Sequence, residues 1–234
     1  MSSNGFDKFA DDLIEKIGSV AGSVGNAASE AASGVGRLKD FAQIGRDLVG
    51  SGAVTSHGGN LSVSDGKNIW ITRTGTQLGH ITADDIVTVE WEKTAADALA
   101  SMELVVHRAM YHALSARLLK TDEAFGKAAI VHSHGLHSTF HSMTKDEIGP
   151  IDSEGRFVLG EQVPVIVCEQ TIASEEVGRL MAGLVADGGT IAVIRSHGPF
   201  AIADSLQNAY RLVSCLEYSA NMLTLFEQAG RTAR

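Results

Sequence analysis

The 234 residues include 44% hydrophobic side chains and carry a formal charge of −9 at pH 7. That is enough apolar material for one large core and the wrong sign for a nucleic-acid surface, which needs a basic face. No stretch is long and apolar enough to span a bilayer, and the first residues, with Asp7, Asp11 and Asp12, lack a basic-then-apolar leader pattern. The expectation is a cytoplasmic protein with neither a membrane nor a nucleic-acid partner.

Residues 1–35 differ in composition from the rest. Phe6, Phe9, Leu13, Ile17, Val20 and Val24 recur at helical spacing between acidic residues, and the text then turns to Gly, Ala and Ser. This predicts an amphipathic N-terminal extension followed by a linker. One reading is a helix packed on its own domain or a neighbouring subunit. The other is a helix that docks on a partner, such as the shell of a compartment. Its acidic polar face is wrong for an anionic membrane.

Residues 36–234 hold the main domain. "RLKDFAQIGRDLVGSG" predicts a helix closed by Gly50. In "NLSVSDGKNIWITRTG", apolar residues alternate on either side of Asp65-Gly66, a hairpin signature. "DIVTVEWE" reads as a strand, and "SMELVVHRAMYHALSARLL" as a helix with Ser101 as N-cap. "KAAIVHSH", "VPVIVCE" and "GTIAVIRSHG" read as strands. "SEEVGRLMAGLVAD", capped by Ser174, and the long closing segment "SLQNAYRLVSCLEYSANMLTLFEQA" read as helices. Helices and strands interleave, and the hairpin and short strands favour a mixed or antiparallel sheet with helices on its faces. Cys168 and Cys215 have no C-x-x-C spacing and read as reduced, small apolar side chains.

Four of the nine histidines fall within residues 128–143, at the end of an apolar run. His132 and His134 are two apart, so on a strand they point to the same face. Neutral imidazole is a favoured ligand for Zn²⁺. A second apolar strand ends in His197-Gly198. Two strand ends that each deliver histidine could converge on one tetrahedral site with an open fourth position. His137, His141, His107 and His112 read as packed or surface histidines or as groups around that site, and His57 and His80 lie in loop-like text.

Glu103, at the start of the helix opening "SME", reads either as ordinary helix-start chemistry or as a general base beside a metal. That helix start, with Ser101, and the small polar stretches Gly58–Asn60 and Thr72–Gly75 suit a backbone phosphate cradle. They serve equally as turns.

These pieces occur in order: Gly-Asn-hydrophobic-Ser, Ile-Thr-x-Thr-Gly, Ser-x-Glu opening a helix, His-x-His, and His-Gly before a long helix. Together they resemble the class II aldolase/adducin family from about Arg37 to Glu227. The resemblance implies a three-layer α/β/α fold with a mostly antiparallel central sheet, assembled as a homotetramer. It implies His132, His134 and His197 as ligands of Zn²⁺ or another divalent cation, Glu103 as catalytic acid/base, and Gly59, Asn60, Thr74, Gly75 and Ser101 around the phosphate of a small phosphorylated sugar. The implied reaction is cleavage of a phosphorylated ketose of the fuculose 1-phosphate kind to dihydroxyacetone phosphate and an aldehyde, through a metal-stabilised enediolate. The same scaffold hosts decarboxylases, a sugar-phosphate dehydratase and an epimerase, and, in adducin, a non-catalytic interaction protein. Two departures stand out: Met102 occupies the place of a second serine, and "GPIDSEGRFVLGEQVP" lacks the tyrosine that sugar-phosphate aldolases use as an acid.

Overall fold

The computed structural model describes residues 33–230, so the amphipathic segment expected over residues 6–24 lies outside the described residues. The chain divides into two units, Met1–Lys39 and Asp40–Arg234. Of the first, the described residues 33–39 are helical. The second begins within helix α1, whose last helical residue is Gly50.

Eight strands form one sheet: β1 (Asn60–Ser64), β2 (Asn68–Thr72), β3 (Ile86–Glu90), β4 (Ala128–His132), β5 (Glu147–Ile148), β6 (Val163–Ile166), β7 (Ile191–Ile194) and β8 (Gly198–Ala203), in the order β3-β2-β1-β4-β8-β7-β6-β5. Every neighbouring pair is antiparallel except β6–β7. The β1–β2 turn forms where the sequence predicts it. Asp65 Oδ1 accepts from the Lys67 and Asn68 N–H groups at 2.9 and 2.8 Å, and Gly66 supplies a φ of 85°.

Five further helices are described: α2 (Leu104–Lys120), α3 (Leu136–Ser142), α4 (Ser153–Leu159), α5 (Glu175–Ala186) and α6 (Leu206–Gln228). Helices α2 and α5 pack together and share a core with Ile69, Ile71, Ile130, Ile194, Phe200 and Ile202. Because strand residues alternate faces, Ala129 and Val131 point away from that core. Both are fully buried, and α6 packs across β1, β4 and β8. Burial on both faces explains why β4 is a continuous apolar run rather than an alternating one. Ser174 caps α5 as expected, its Oγ accepting from the Val177 N–H at 3.1 Å.

Two expectations require correction. Helix α2 begins at Leu104, and Ser101 is not its cap; the Ser101 hydroxyl accepts the Glu103 N–H at 3.2 Å within the turn that precedes the helix. The last strand does not lead straight into the closing helix, because β8 lies between His197 and α6.

Candidate active site

Strand β4 hands its last residue, His132, to the cavity, and the chain continues extended for two residues. The Ser133 N–H donates to the Pro199 carbonyl at 3.1 Å and the His134 N–H to the Ala53 carbonyl at 2.9 Å. His132 and His134 therefore keep the same-face relation of a strand. Strands β7 and β8 form a hairpin in which Ile194 pairs with Gly198 and residues 195–197 make the turn. Two backbone features squeeze this turn against β4. Ser196 adopts a left-handed φ of 61°, a conformation costly for a residue with a Cβ. Gly198 has φ 147°, and a Cβ there would lie 2.1 Å from the Ser133 carbonyl oxygen.

The result is that imidazoles from two strand ends meet. His132 Nε2 lies 3.0 Å from His134 Nε2 and 3.2 Å from His197 Nε2. His132 Nδ1 is 3.0 Å from the Pro199 carbonyl. A carbonyl only accepts, so Nδ1 carries the hydrogen and Nε2 presents its lone pair to the other two rings. Phe200, opposite His132 in the β4–β8 register, stacks on it with ring centroids 3.8 Å apart and an interplanar angle of 9°. Burial holds all three imidazoles below the usual histidine range, reinforced for His132 by both neighbours and for His134, pushed down to about 4, by His197. For His197 the Thr171 carbonyl works in the opposite direction.

These donors fit a divalent cation. Two nitrogens bound to one tetrahedral ion at ~2.05 Å stand about 3.3 Å apart, close to the spacing of the His132 pairs. The three rings are neutral, buried or half-buried, and offer one ligand atom each within a 4.8 Å span. Glu103 closes the cluster. Its Oε1 lies 3.8 Å from His197 Nε2 and accepts the Ala173 N–H at 3.0 Å, while Oε2 is buried without a hydrogen-bond partner. Burial pushes the carboxyl up to about 7, against the pull of the Ala173 N–H. Ala173 is itself left-handed, at φ 50°.

Every residue singled out from the sequence for ligation, acid/base chemistry or phosphate binding lines one cavity: His132, His134, His197 and Glu103 on one hand, Gly59, Asn60, Thr74, Gly75 and Ser101 on the other. Asn60 pairs with His132 across β1–β4, and its Oδ1 is buried without a hydrogen-bond partner. Thr74 and Gly75 occupy a turn closed by the Thr76 N–H on the Arg73 carbonyl at 3.3 Å, with Gly75 at φ 77°. The Thr74 hydroxyl is already engaged, accepting the Met102 N–H at 2.9 Å and donating to the Ala100 carbonyl at 3.3 Å.

The remaining histidines separate cleanly from this group, with one exception. His137 and His141 lie on α3 and face α6. His137 Nδ1 is 3.1 Å from Thr224 Oγ1, and His141 Nε2 is 3.2 Å from the Ala220 carbonyl and 3.0 Å from Thr224 Oγ1. His112 Nε2 meets the Trp91 carbonyl at 3.3 Å. His107 is fully buried, one helical turn beyond Glu103, with Nδ1 2.6 Å from Ser62 Oγ; burial pushes it down to about 3. The exception is His57, which joins the cavity lining together with Arg73, Met102 and Ile172. His57 directly precedes Gly58-Gly59-Asn60, and the sequence marked that stretch but not the histidine.

Against known proteins, the profile of the Class II Aldolase and Adducin N-terminal domain matches residues 39–224. The chain belongs to the class II aldolase/adducin family. Within that family it is 27% identical over 195 residues to the L-fuculose phosphate aldolase of Methanocaldococcus jannaschii, covering 80% of this chain and 95% of the relative. It is 29% identical over 204 residues to the methylthioribulose-1-phosphate dehydratase of Gluconacetobacter diazotrophicus, covering 78% and 90%. The solved structure of the L-fuculose-1-phosphate aldolase from Thermus thermophilus superimposes with a TM-score of 0.73 at 30% identity, over 82% of this chain and 95% of that one. The class II aldolase fold, an α/β arrangement around a mostly antiparallel sheet, is thus shared.

Proposed function

We propose that this protein is a Zn²⁺-dependent aldolase, on a three-layer α/β/α fold, that cleaves a phosphorylated ketose of the fuculose 1-phosphate kind to dihydroxyacetone phosphate and an aldehyde. The observation that carries the reading is the meeting of His132, His134 and His197 at Nε2 with a protonatable Glu103 carboxyl 3.8 Å from His197. The three histidines hold the ion, which when bound supplies positive charge for a developing oxyanion. Glu103 moves the proton at the carbon that becomes nucleophilic. Its elevated proton affinity, set by burial, lets it give and take that proton near neutrality. Gly59, Asn60, Gly75 and Ser101 hold the substrate phosphate through backbone N–H groups and side-chain donors, while Thr74, whose hydroxyl is engaged, shapes the turn that presents them.

A second reading, a dehydratase, decarboxylase or epimerase using the same site, draws support from the 29% identity to a methylthioribulose-1-phosphate dehydratase. A binding-only role of the adducin type is disfavoured by the intact set of three imidazoles and a carboxyl. The deciding experiment measures bound metal in the purified protein and dihydroxyacetone phosphate released from a panel of ketose 1-phosphates. Metal without triose phosphate from any of them removes the aldolase reading in favour of the second. For residues 1–35 the reading is a helix packed on its own domain or on a neighbouring subunit, with docking on a partner as the alternative. On the docking alternative, a homotetramer built from residues 36–234 should keep its turnover when residues 1–34 are deleted.

A further inference from the structure

One fully buried ring, Phe200, meets imidazoles from both strand ends. It stacks face to face on His132, with centroids 3.8 Å apart and planes 9° from parallel, and stands edge-on to His197 at 6.2 Å and 73°. At 3.8 Å two flat rings are in full van der Waals contact. The stack follows from the register: His132 and Phe200 lie opposite one another in β4 and β8, so both side chains project from the same face of the sheet.

Resting on the reading of His132, His134 and His197 as metal ligands, we propose that Phe200 is a positioning residue for His132, held in turn by the buried His107. The Pro199 carbonyl, 3.0 Å from His132 Nδ1, fixes one ring atom but leaves the ring free to tilt about that bond. A flat partner against its face removes the tilt. Successive residues of β8 thus supply the two constraints that aim Nε2, Pro199 through its carbonyl and Phe200 through its ring. Elsewhere the cluster is bounded by backbone. A Cβ at Gly58 would come within 2.9 Å of His134 Nδ1, and one at Gly59, with φ 76°, would lie 2.5 Å from the His132 carbonyl oxygen.

A phenyl ring has no hydrogen bond of its own to stop it turning, so Phe200 needs a neighbour that is itself fixed. His107 stands edge-on to it, centroids 5.9 Å apart at 76°. His107 Nδ1 lies 2.6 Å from Ser62 Oγ, which lies 2.7 Å from the Tyr111 hydroxyl, and all three side chains are fully buried. Among the described residues His107 Nε2 has no hydrogen-bond partner, so the Ser62 contact is what fixes the ring by hydrogen bonding. Glu103, His107 and Tyr111 stand four apart, on one face of α2 and the turn before it. Polar groups in an apolar core are costly unless paired, and once paired they hold one arrangement rigidly. That rigidity passes from β1 and α2 through Phe200 to the candidate ligand. Filling the core alone would not require a phenyl ring, because an aliphatic side chain fills space without presenting a flat face.

The test strips the purified full chain of metal, titrates it with Zn²⁺ against a chromophoric chelator, and records the visible spectrum of its Co²⁺ form, whose bands report ligand geometry. F200L should unfold cooperatively like the wild type, bind Zn²⁺ about 10- to 100-fold more weakly, and show altered Co²⁺ bands. H107F, one step further from the ligand, should weaken binding in the same direction by less. I202V trims the same face of β8 two residues on, where the partner across the ladder is Ile130, and should leave both readouts at wild-type values. Should F200L not fold, F200M, which keeps unbranched apolar bulk in the core, carries the same expectation. Wild-type affinity and spectrum in the Phe200 variant overturn the proposal alone. So does an equal loss in I202V, which would mark a general effect of destabilisation, and wild-type affinity in H107F overturns the part given to His107. A wild-type chain that binds neither Zn²⁺ nor Co²⁺ overturns the metal reading and this proposal with it.

Discussion

Two pairs of histidines lie within ten residues of one another and meet opposite fates. His132 and His134 lie two residues apart at a strand end, project to one side, and bring their Nε2 atoms together, with that of His197 3.2 Å from His132. His137 and His141 sit four apart on α3, one turn of helix, and also share a face. That face, however, meets α6, where Thr224 and the Ala220 carbonyl engage their ring nitrogens. Clustering of residue type therefore says little. What distinguishes a ligand from a packing residue is which atom lies opposite its nitrogen: another lone pair, or a hydroxyl or carbonyl already in the fold. Glu217 sharpens the boundary between the pairs. Its carboxylate accepts the His137 and Ser138 N–H groups at 2.7 and 3.0 Å, anchoring the start of α3 so that the chain leaves the histidine cluster immediately after His134.

The comparison can be broken most severely at His134. H134A should purify with bound metal near zero, measured by plasma mass spectrometry, and with no detectable turnover; full metal content would remove His134 from the ligand set. Next in size, E103Q should retain the metal and lose turnover by about 10²- to 10⁴-fold. An unchanged rate would take the carboxyl out of the mechanism.

A third kind of histidine supplies a pH prediction. His107 is buried, neutral and not one of the three clustered imidazoles, with its folded proton affinity lowered from 6.5 to about 3 by burial. Above pH 6.5 it is neutral folded or unfolded and adds no pH dependence. As pH falls below 6.5 the unfolded chain takes up a proton that the folded one refuses, so stability should fall by about 1.4 kcal/mol per pH unit until pH approaches 3. Because His132, His134 and His197 also hold lowered proton affinities, the comparison is with H107Q: the urea midpoint of the metal-free wild type should drop further between pH 7 and pH 5 than that of the variant, and an equal drop in both contradicts a neutral His107. The smallest effect belongs to the packing pair. H141A should lose about 1–3 kcal/mol of stability through the bonds it leaves unmade while metal content and turnover stay at wild-type values. A fall in metal stoichiometry would erase the distinction drawn between the pairs.

Much of the fold was legible because the local signals agreed. Asp65-Gly66 between alternating strands, Ser174 before an apolar-periodic run and the β-branched run ending at His132 each formed the element expected. The losses share a cause. Helix α3, "LHSTFHS", is seven residues with no cap of its own; Glu217 reaches from α6 to serve its N-terminus. Strand β8 begins Gly-Pro, which reads as a stop, yet Pro199 sits near the strand start, where its missing N–H costs least. Its carbonyl is also what orients His132. Helix α4 and the two-residue β5 were too short to read. At the site, the ligand trio and Glu103 were nominated by spacing and resemblance. His57 was not, because nothing local separates a loop histidine in water from one at a cavity mouth.

By itself the sequence determined which residues could do chemistry and which segments would be strand or helix, since those choices depend on side-chain type, on periodicities of 2 and 3.6, and on a few capping and turn residues. Only the tertiary structure decided that residues 132 and 197 meet, that a carboxyl loses its water, and that two glycines let a loop pass beneath the imidazoles. Each of these is a distance between chain segments far apart in order, and such distances are set by how β4 pairs with β8 and how the helices bury the sheet. No local pattern encodes them.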